Sequence, residues 1–233
     1  MATKRSKRYK EAVKAVDINK IYRLQDAVAV LKKMSRVKFN ETVDLALKLG
    51  VDPKQSDQMV RGTAALPNGS GKNVRVLVFA RGAAADAATA AGAEFVGFED
   101  LIKKCNEGFQ DFDVAVATPE AMVEVRKLGK VLGPRGLMPN PKTGTITEDT
   151  AKAVKEVKAG RVEFKIDKAG NLHVPAGKIA FDDEALTQNI NAILDAIVKA
   201  RPASAKGVFI QTGVLSTTMS PSVKLDVSTF AKA

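Results

Sequence analysis

The sequence predicts a mixed α/β protein with two domains, the second inserted into a discontinuous first domain. Near both ends of the chain, apolar residues alternate with polar ones, as in a sheet with one buried face. In the middle, nearly continuous apolar runs alternate with helical segments, which is typical of a parallel sheet covered on both faces. The 233 residues are ample for two domains. Three small units are the other interpretation of this pattern.

The first predicted elements are a helix and a strand. In residues 24–34, LQDAVAVLKKM, the apolar residues recur at helical spacing (Ala27, Val30, Leu31 and Met34). In TVDLALKLGVD, which follows, apolar residues take every second position (Val43, Leu45, Leu47, Leu49 and Val51). LPNGSGKN, residues 66–73, is a turn-rich break. Its GSGK lacks the other residues of a phosphate loop, so a linker is expected.

The middle of the chain alternates strands and helices. Residues 74–80 and 112–119 are apolar runs of strand type, and residues 99–108 and 120–133 read as helices. No GxGxxG follows either strand, so a dinucleotide site has little support. Residues 132–145, LGPRGLMPNPKTGT, are expected to form an exposed, stiff loop. Its GPRG matches the GxxG of KH domains weakly, and either a structural loop or a nucleic-acid contact would explain it.

Alternation returns in the last third of the chain. RVEFKID places Val162, Phe164 and Ile166 on one face. Residues 182–201 form a strongly amphipathic helix that Asp182 or Asp183 can cap. GVFIQTGVLST and VKLDVST are two further strands, with STTMSPS (216–222) between them. These outer strands can share one sheet covered by the helices of 24–34 and 182–201.

The amino-acid composition restricts which kinds of functional site this protein can have. Cys105 is the only cysteine and His173 the only histidine, which excludes an intramolecular disulfide and leaves too few ligands for structural zinc. His173 lies in GNLHVPAG, without the serine of a nucleophile elbow, so a packed or RNA-contacting histidine is expected. No apolar run is long enough for a membrane span, and the basic N-terminal segment lacks the apolar core of a secretory signal. No catalytic residue, metal or cofactor is expected.

The net charge of +11 indicates an acidic partner. Nucleic acid is the first candidate, an anionic membrane the second, and a simple surplus of lysine the third. A nucleotide enzyme built on the α/β segment lacks a phosphate loop, a metal cluster and a paired acid and base. A membrane-surface protein lacks the bulky apolar helix face that such proteins use.

Three segments resemble the ribosomal protein L-one family of the bacterial large subunit. They are KFNETVDLALKLGVDPKQSDQMVRGT (38–63), VLGPRGLMPNPKTGT (131–145) and STTMSPS (216–222). LGPRGLMPNPK is a long, specific motif, and the resemblance runs from about residue 7 to residue 227.

The resemblance implies a split β-α-β RNA-binding domain, residues 1–67 and 160–233, and a Rossmann-like insertion without nucleotide, residues 68–159. It implies a non-enzymatic, cytoplasmic protein, monomeric off the ribosome, that binds large-subunit rRNA at the mobile stalk beside the tRNA exit site. Help in releasing deacylated tRNA and repression of its own operon mRNA are also implied. With these boundaries the first domain carries +10 and the insertion +1, which places the main RNA surface on the first domain.

The family's RNA contacts carry over to positions in four parts of this chain. In KFNETVD, Lys38 can meet phosphate, and Phe39 is either a core residue or a platform for base stacking. The full expected set is Lys38, Phe39, Thr42, Asp44, Arg161, Lys165, His173, Thr212, Thr217, Thr218, Met219, Ser220 and Pro221. The GPRG loop adds a possible tRNA or rRNA contact through Arg135, Asn140 and Lys142.

STTMSPS carries no charge although the protein is basic. Hydroxyls can pair with the 2′-OH, with base edges and with phosphate oxygens, and a thioether can pack on a base or sugar. The segment therefore suits RNA discrimination, with a plain hairpin turn as the alternative. The family commonly has TTMGP here, whereas this chain has Ser220 at the glycine position.

Overall fold

The computed structural model describes residues 5–17, 20–34 and 37–231. The chain forms two compact units, Met1–Gly71 with Val162–Ala233, and Lys72–Arg161. Helices and several sheets confirm the mixed α/β fold class. Within these residues, no helix is long and apolar enough to cross a bilayer.

The first unit is built from strands and helices of both terminal segments, here numbered in chain order. Its helices are α1 (Lys7–Lys14), α2 (Leu24–Met34), α8 (Asp183–Lys199) and α9 (Ser228–Ala231). Its strands are β1 (Ile21–Tyr22), β2 (Thr42–Leu49), β3 (Arg61–Ala65), β7 (Arg161–Lys165), β8 (Asn171–Lys178), β9 (Ile210–Thr217) and β10 (Val223–Leu225). The predicted helices at 24–34 and 182–201 and the predicted strand from residue 42 are confirmed.

A five-stranded sheet in the order β1-β10-β9-β2-β8 forms the centre of this unit. Strand β2 lies between β8 and β9 and runs antiparallel to both. Its odd-numbered residues are buried against α2 and α8, as the period-two pattern predicts, and its even-numbered residues point to the opposite face. Helix α8 presents an apolar stripe to this core, with Asp182 at its N-cap.

Strand β7 does not join the central sheet, contrary to the prediction that the outer strands share one sheet. It pairs with β3 in a separate two-stranded sheet. Gly62 on β3 permits this close pairing, because a Cβ at Gly62 would lie 2.8 Å from the Phe164 ring on β7. Phe164 is buried in the core of the unit, so the predicted inward face of this strand is confirmed.

The turn-rich break after β3 is fixed to α8 by a buried amide. Asn189 is fully buried, and its Nδ2 donates to the carbonyls of Ala176, at 2.9 Å, and Gly69, at 3.0 Å. Its Oδ1 accepts from the backbone N–H of Asn68 at 3.1 Å. Asn189 therefore anchors the break while its own polar atoms stay satisfied.

The second unit has a three-stranded parallel sheet in the order β5-β4-β6. Its elements are β4 (Val76–Phe79), α3 (Ala83–Ala90), β5 (Phe95–Gly97), α4 (Glu99–Asn106), β6 (Val114–Ala117), α5 (Met122–Val125), α6 (Gly129–Leu132) and α7 (Thr150–Lys158). The predicted strands at 74–80 and 112–119 and the helix at 99–108 are confirmed. The predicted helix at 120–133 is wrong as one element, because a 3₁₀ turn at Arg126–Leu128 separates α5 from α6.

The loop of residues 132–145 is only partly exposed, contrary to the prediction. Residues 133–136 are exposed, whereas Thr143 and Thr145 are buried. The Thr145 hydroxyl accepts from the Asn140 N–H at 2.8 Å, and the Thr143 hydroxyl donates to the Asn140 carbonyl at 3.1 Å. These contacts close the second half of the loop on itself and leave the GPRG half at the surface.

Candidate RNA-binding surface

The outward side of the central sheet carries a row of polar and charged residues. We call this surface "the sheet face" and define it as Thr42, Asp44, Lys48, His173, Lys178, Thr212 and Ser216. The strand register places Asp44 beside Ser216, Thr42 beside Lys178, and Lys48 beside Thr212. All seven are exposed or half-buried, because α2 and α8 pack on the other face. Hydroxyl groups, three cationic or titratable side chains (Lys48, His173 and Lys178) and one carboxylate are thus available on one surface.

Segment 38–42 and the turn of residues 218–220 meet at one end of the sheet face. Val43 pairs with Thr217 in the register of β2 and β9. Beyond that pair, the Thr42 N–H donates to the Thr218 hydroxyl at 3.3 Å, and the Met219 N–H donates to a Glu41 carboxylate oxygen at 2.9 Å. The KFNET and STTMSPS motifs lie far apart in sequence and are nevertheless adjacent in space.

Two large apolar side chains stay exposed at this end. Phe39 is 52% exposed and Met219 is 43% exposed. The exposure of Phe39 answers the alternative left open by the sequence, since the side chain is not part of the core. Lys38, next to Phe39 in sequence, is also exposed, so a ring, a thioether and an ammonium group in these two segments are all accessible to solvent.

Ser220 fits its position without backbone strain. No non-glycine residue in the described ranges has a positive φ. The Ser220 hydroxyl accepts from the Thr217 N–H at 3.0 Å and donates to the Pro221 carbonyl at 3.1 Å. The turn therefore does not need glycine here, and the serine adds hydrogen bonds that glycine cannot make.

Asp44 is the carboxylate in the middle of the sheet face. Burial raises the pKa of this carboxyl above its ordinary 3.8, and the nearby charges of His173 and Lys178 offset part of the rise. Because the folded protein binds this proton more tightly than the unfolded chain does, ionised Asp44 lowers stability. That cost is absent below pH 3.8 and develops as the pH rises through the folded pKa.

Replacing Asp44 by asparagine is expected to raise the melting temperature at pH 7, by a free-energy gain of about 1 kcal/mol or less. The gain should shrink as the pH falls towards 3.8, because wild-type Asp44 is then neutral as well. Thermal unfolding from pH 3 to pH 8 measures this, with exposed Asp195→Asn as the control. A gain that does not change with pH would show that packing, and not ionisation, is responsible.

Other predicted contact residues lie away from the turn. Thr212 is on the sheet face but five residues along β9 from Thr217, a distance of roughly 17 Å. Lys165 is exposed on β7, in the separate two-stranded sheet. The Arg161 guanidinium pairs with Glu156 at 2.7 Å and packs on Gly144, so it is held within the second unit. The structure therefore does not bring Arg161 and Lys165 to the sheet face.

Two residues of the turn region are buried. Thr217 is 4% exposed, and Pro221 is also buried. Their side chains lie at the base of the turn and are largely withheld from solvent, whereas Thr218 and Met219 are exposed. Direct RNA contacts through Thr217 and Pro221 stay a prediction that their burial makes less favourable.

The loop of the second unit that was predicted to contact tRNA or rRNA is only partly exposed to solvent. Arg135 is exposed within GPRG. The backbone of Asn140 is engaged in the threonine hydrogen bonds that close the loop. The side chain of Lys142 lies outside the described part of the chain.

Sequence reasoning missed Glu41 and Lys178. Lys178 donates to the Thr42 hydroxyl at 2.8 Å and so brings a positive charge to the sheet face. Glu41 is 1% exposed, although it precedes the strand and is charged. The period-two pattern contained the signal for Glu41, because position 41 falls on the same face as Val43 and Leu45.

The family comparison covers this whole surface. A sequence model of the Ribosomal protein L1p/L10e family matches residues 31–221, which is 191 of the 233 residues. The chain belongs to this family. The matched range begins before Lys38 and ends at Pro221, so it includes segment 38–42, the sheet face and the 218–220 turn.

Family membership establishes the general role of the protein and confirms the resemblance seen in the sequence. It is a protein of the large ribosomal subunit, in the cytoplasm, and binds large-subunit rRNA. The family is one of structural ribosomal proteins and not of enzymes.

Proposed function

We propose that the sheet face and the 218–220 turn form the rRNA-binding surface, and that this rRNA is the mobile stalk beside the tRNA exit site. The observation that supports this most strongly is that Phe39 and Met219 are both exposed and belong to the two segments that meet at one end of the sheet face. Exposed large apolar side chains beside hydroxyls and cations suit stacking on unpaired bases together with contacts to the 2′-OH.

In this proposal, the uncharged 218–220 turn discriminates between RNAs, and the basic residues provide most of the affinity for the RNA backbone. Lys38, Lys48 and Lys178 contribute phosphate contacts, which weaken as salt rises. Thr218, Met219 and the backbone of Ser220 contribute contacts that do not depend on counterion release. Asp44 and His173 add groups that can accept from or donate to base edges. The protein is monomeric off the ribosome.

The same surface is proposed to bind the protein's own operon mRNA and so to repress its translation. Repression by one surface requires that the mRNA and the stalk rRNA compete for it. A preformed turn between two fixed strands supports a single recognition site with one preferred RNA shape.

The second unit is proposed to assist the release of deacylated tRNA. Between Arg126 and Lys142 the sequence has five basic residues and no acidic one, although the unit as a whole is nearly balanced in charge. The exposed residues Arg126, Lys130 and Arg135 belong to this stretch. A basic patch on an otherwise neutral unit suits contact with an RNA backbone.

The deciding experiment measures binding of a stalk rRNA fragment and an unrelated hairpin of equal length across a salt series. We expect a preference of about 10³-fold or more for the stalk fragment that persists as salt rises. An operon-leader mRNA should compete with the stalk fragment, and Arg135→Ala should weaken only a deacylated-tRNA probe. Equal binding of both RNAs that disappears with salt would reject the proposal, because net charge would then explain the binding.

A further inference from the structure

We infer that Glu41 and Ser220 are positioning residues that hold the 218–220 turn in its RNA-binding conformation before RNA binds. This inference rests on the proposed function of that surface. Neither side chain is assigned an RNA contact of its own. Each fixes the backbone that presents Thr218 and Met219.

Glu41 contacts the 218–220 turn from its buried side. Its carboxylate accepts the Met219 N–H at 2.9 Å, and its backbone carbonyl accepts the Ile179 N–H at 2.9 Å. The side chain is 1% exposed, so it is not a surface group available to RNA. Glu41 therefore joins the end of β8 and the start of β2 to the turn.

The burial of the Glu41 carboxylate indicates that this group has a structural role in the protein. Removing a carboxylate from water is costly unless hydrogen bonds and charges compensate it. Hydrogen bonds to a charged acceptor are shorter and roughly twice as strong as neutral ones. Arg8 of α1 lines the same small cavity as Glu41, Met219 and Ser220, and brings a positive charge there. The cavity thus brings together the buried Glu41 carboxyl group, the cationic Arg8 side chain and two residues of the 218–220 turn.

Ser220 closes the turn from within. Its hydroxyl accepts the Thr217 N–H at 3.0 Å and donates to the Pro221 carbonyl at 3.1 Å, while its own N–H donates to the Thr217 carbonyl at 3.3 Å. These bonds fix the residues on both sides of Thr218 and Met219. A turn ordered in the free protein loses less conformational entropy on binding.

A double-mutant cycle tests the role of Glu41. Glu41→Ala should weaken binding of the stalk rRNA fragment by about 10-fold or more, because the bond from Met219 to a charged acceptor is lost. Glu41→Gln keeps an acceptor oxygen and should bind within about 3-fold of wild type. Binding to the unrelated hairpin should stay unchanged in both. In a Met219→Ala background, Glu41→Ala should cost clearly less than its effect of about 10-fold in the wild type, because only the part of that effect that passes through Thr218 remains.

Ser220 is tested by two substitutions that differ in backbone freedom. Ser220→Ala and Ser220→Gly both remove the hydroxyl and should both weaken stalk binding, by about 5-fold for alanine and at least as much for glycine. Tighter binding by Ser220→Gly would overturn the inference, since it would show that close approach of the backbone matters and not the hydroxyl.

The outcomes separate this inference from the proposed function. If Met219→Ala and Phe39→Ala both bind the stalk fragment like wild type, the proposed surface is wrong. If those two lose binding but Glu41→Ala and Ser220→Ala do not, or if Glu41→Ala and Met219→Ala add independently, the positioning role is wrong. Urea unfolding measures whether each variant is still folded. Should Glu41→Ala fail to fold, the two Ser220 variants and Glu41→Gln still decide, because Ser220 is only half-buried.

Discussion

Phe39→Ala is expected to weaken binding of a stalk rRNA fragment by about 5- to 150-fold, which corresponds to the 1–3 kcal/mol typical of one base stacked on an aromatic ring. The ring is 52% exposed and lies beside Lys38 at the end of the sheet face, so it is accessible for stacking in the free protein. Because no charge is removed, the slope of affinity against salt should not change. Equilibrium binding at four or five salt concentrations measures both quantities.

Two conservative variants serve as matched controls for Phe39. Phe39→Tyr keeps a ring and should bind nearly as well as wild type. Phe39→Leu keeps apolar volume without a ring and should lose most of the affinity that alanine loses. Wild-type binding by Phe39→Leu would show that apolar contact, and not stacking, is the contribution. The unfolding free energy should change little in all three, because half of the side chain is already in solvent.

Leu45→Ala is expected to lower the free energy of unfolding by about 2–5 kcal/mol. Leu45 is fully buried on β2, in the cluster that joins the central sheet to α2 and α8. Removing three carbon atoms there costs their transfer free energy and leaves a cavity that β2 cannot close, since it is paired on both sides. Urea unfolding at pH 7 measures the loss.

Val208→Ala is the matched control for Leu45→Ala. Val208 is an apolar residue of the same unit but is 55% exposed, so its truncation should change stability by no more than about 0.5 kcal/mol. The folded fraction of Leu45→Ala should still bind the stalk fragment, because Leu45 points away from the sheet face. Loss of binding by folded Leu45→Ala would mean that the sheet face depends on core packing more closely than the geometry indicates.

The elements predicted best from sequence are those in which one face is fully buried. Strand β2 and helices α2 and α8 have regular apolar periods, and each period records directly which side contacts the core. The segment 120–133 was predicted less well, because its apolar residues fit a helix although Gly129 lowers helix propensity in its second half. The pairing of β7 with β3 could not be predicted, since strand partners depend on contacts distant in sequence.

The candidate site was predicted as a set of segments more accurately than as a set of side chains. KFNET and STTMSPS were identified from residue chemistry and resemblance, and the structure places them side by side. Within the second segment, burial distinguishes Thr217 and Pro221 from Thr218 and Met219. That distinction follows from the geometry of a four-residue turn, which residue type alone does not determine. Arg161 was predicted as an RNA contact from its position in the sequence. Its guanidinium pairs instead with Glu156 of helix α7, and residue type alone does not determine this partner.

The strands that flank the second unit, β3 and β7, are paired with each other. The chain thus leaves the first unit after Gly71 and returns to it at Val162, shortly after β3 and within β7. During synthesis, residues 72–161 are complete before β8, β9 and β10 exist, so every contact within the second unit can form first. The central sheet is complete only once Val223–Leu225 is present, because β10 lies between β1 and β9. A ribosome making this protein therefore finishes the inserted unit well before the RNA-binding surface can assemble, and a nascent chain cannot bind RNA through that surface until both terminal segments have emerged.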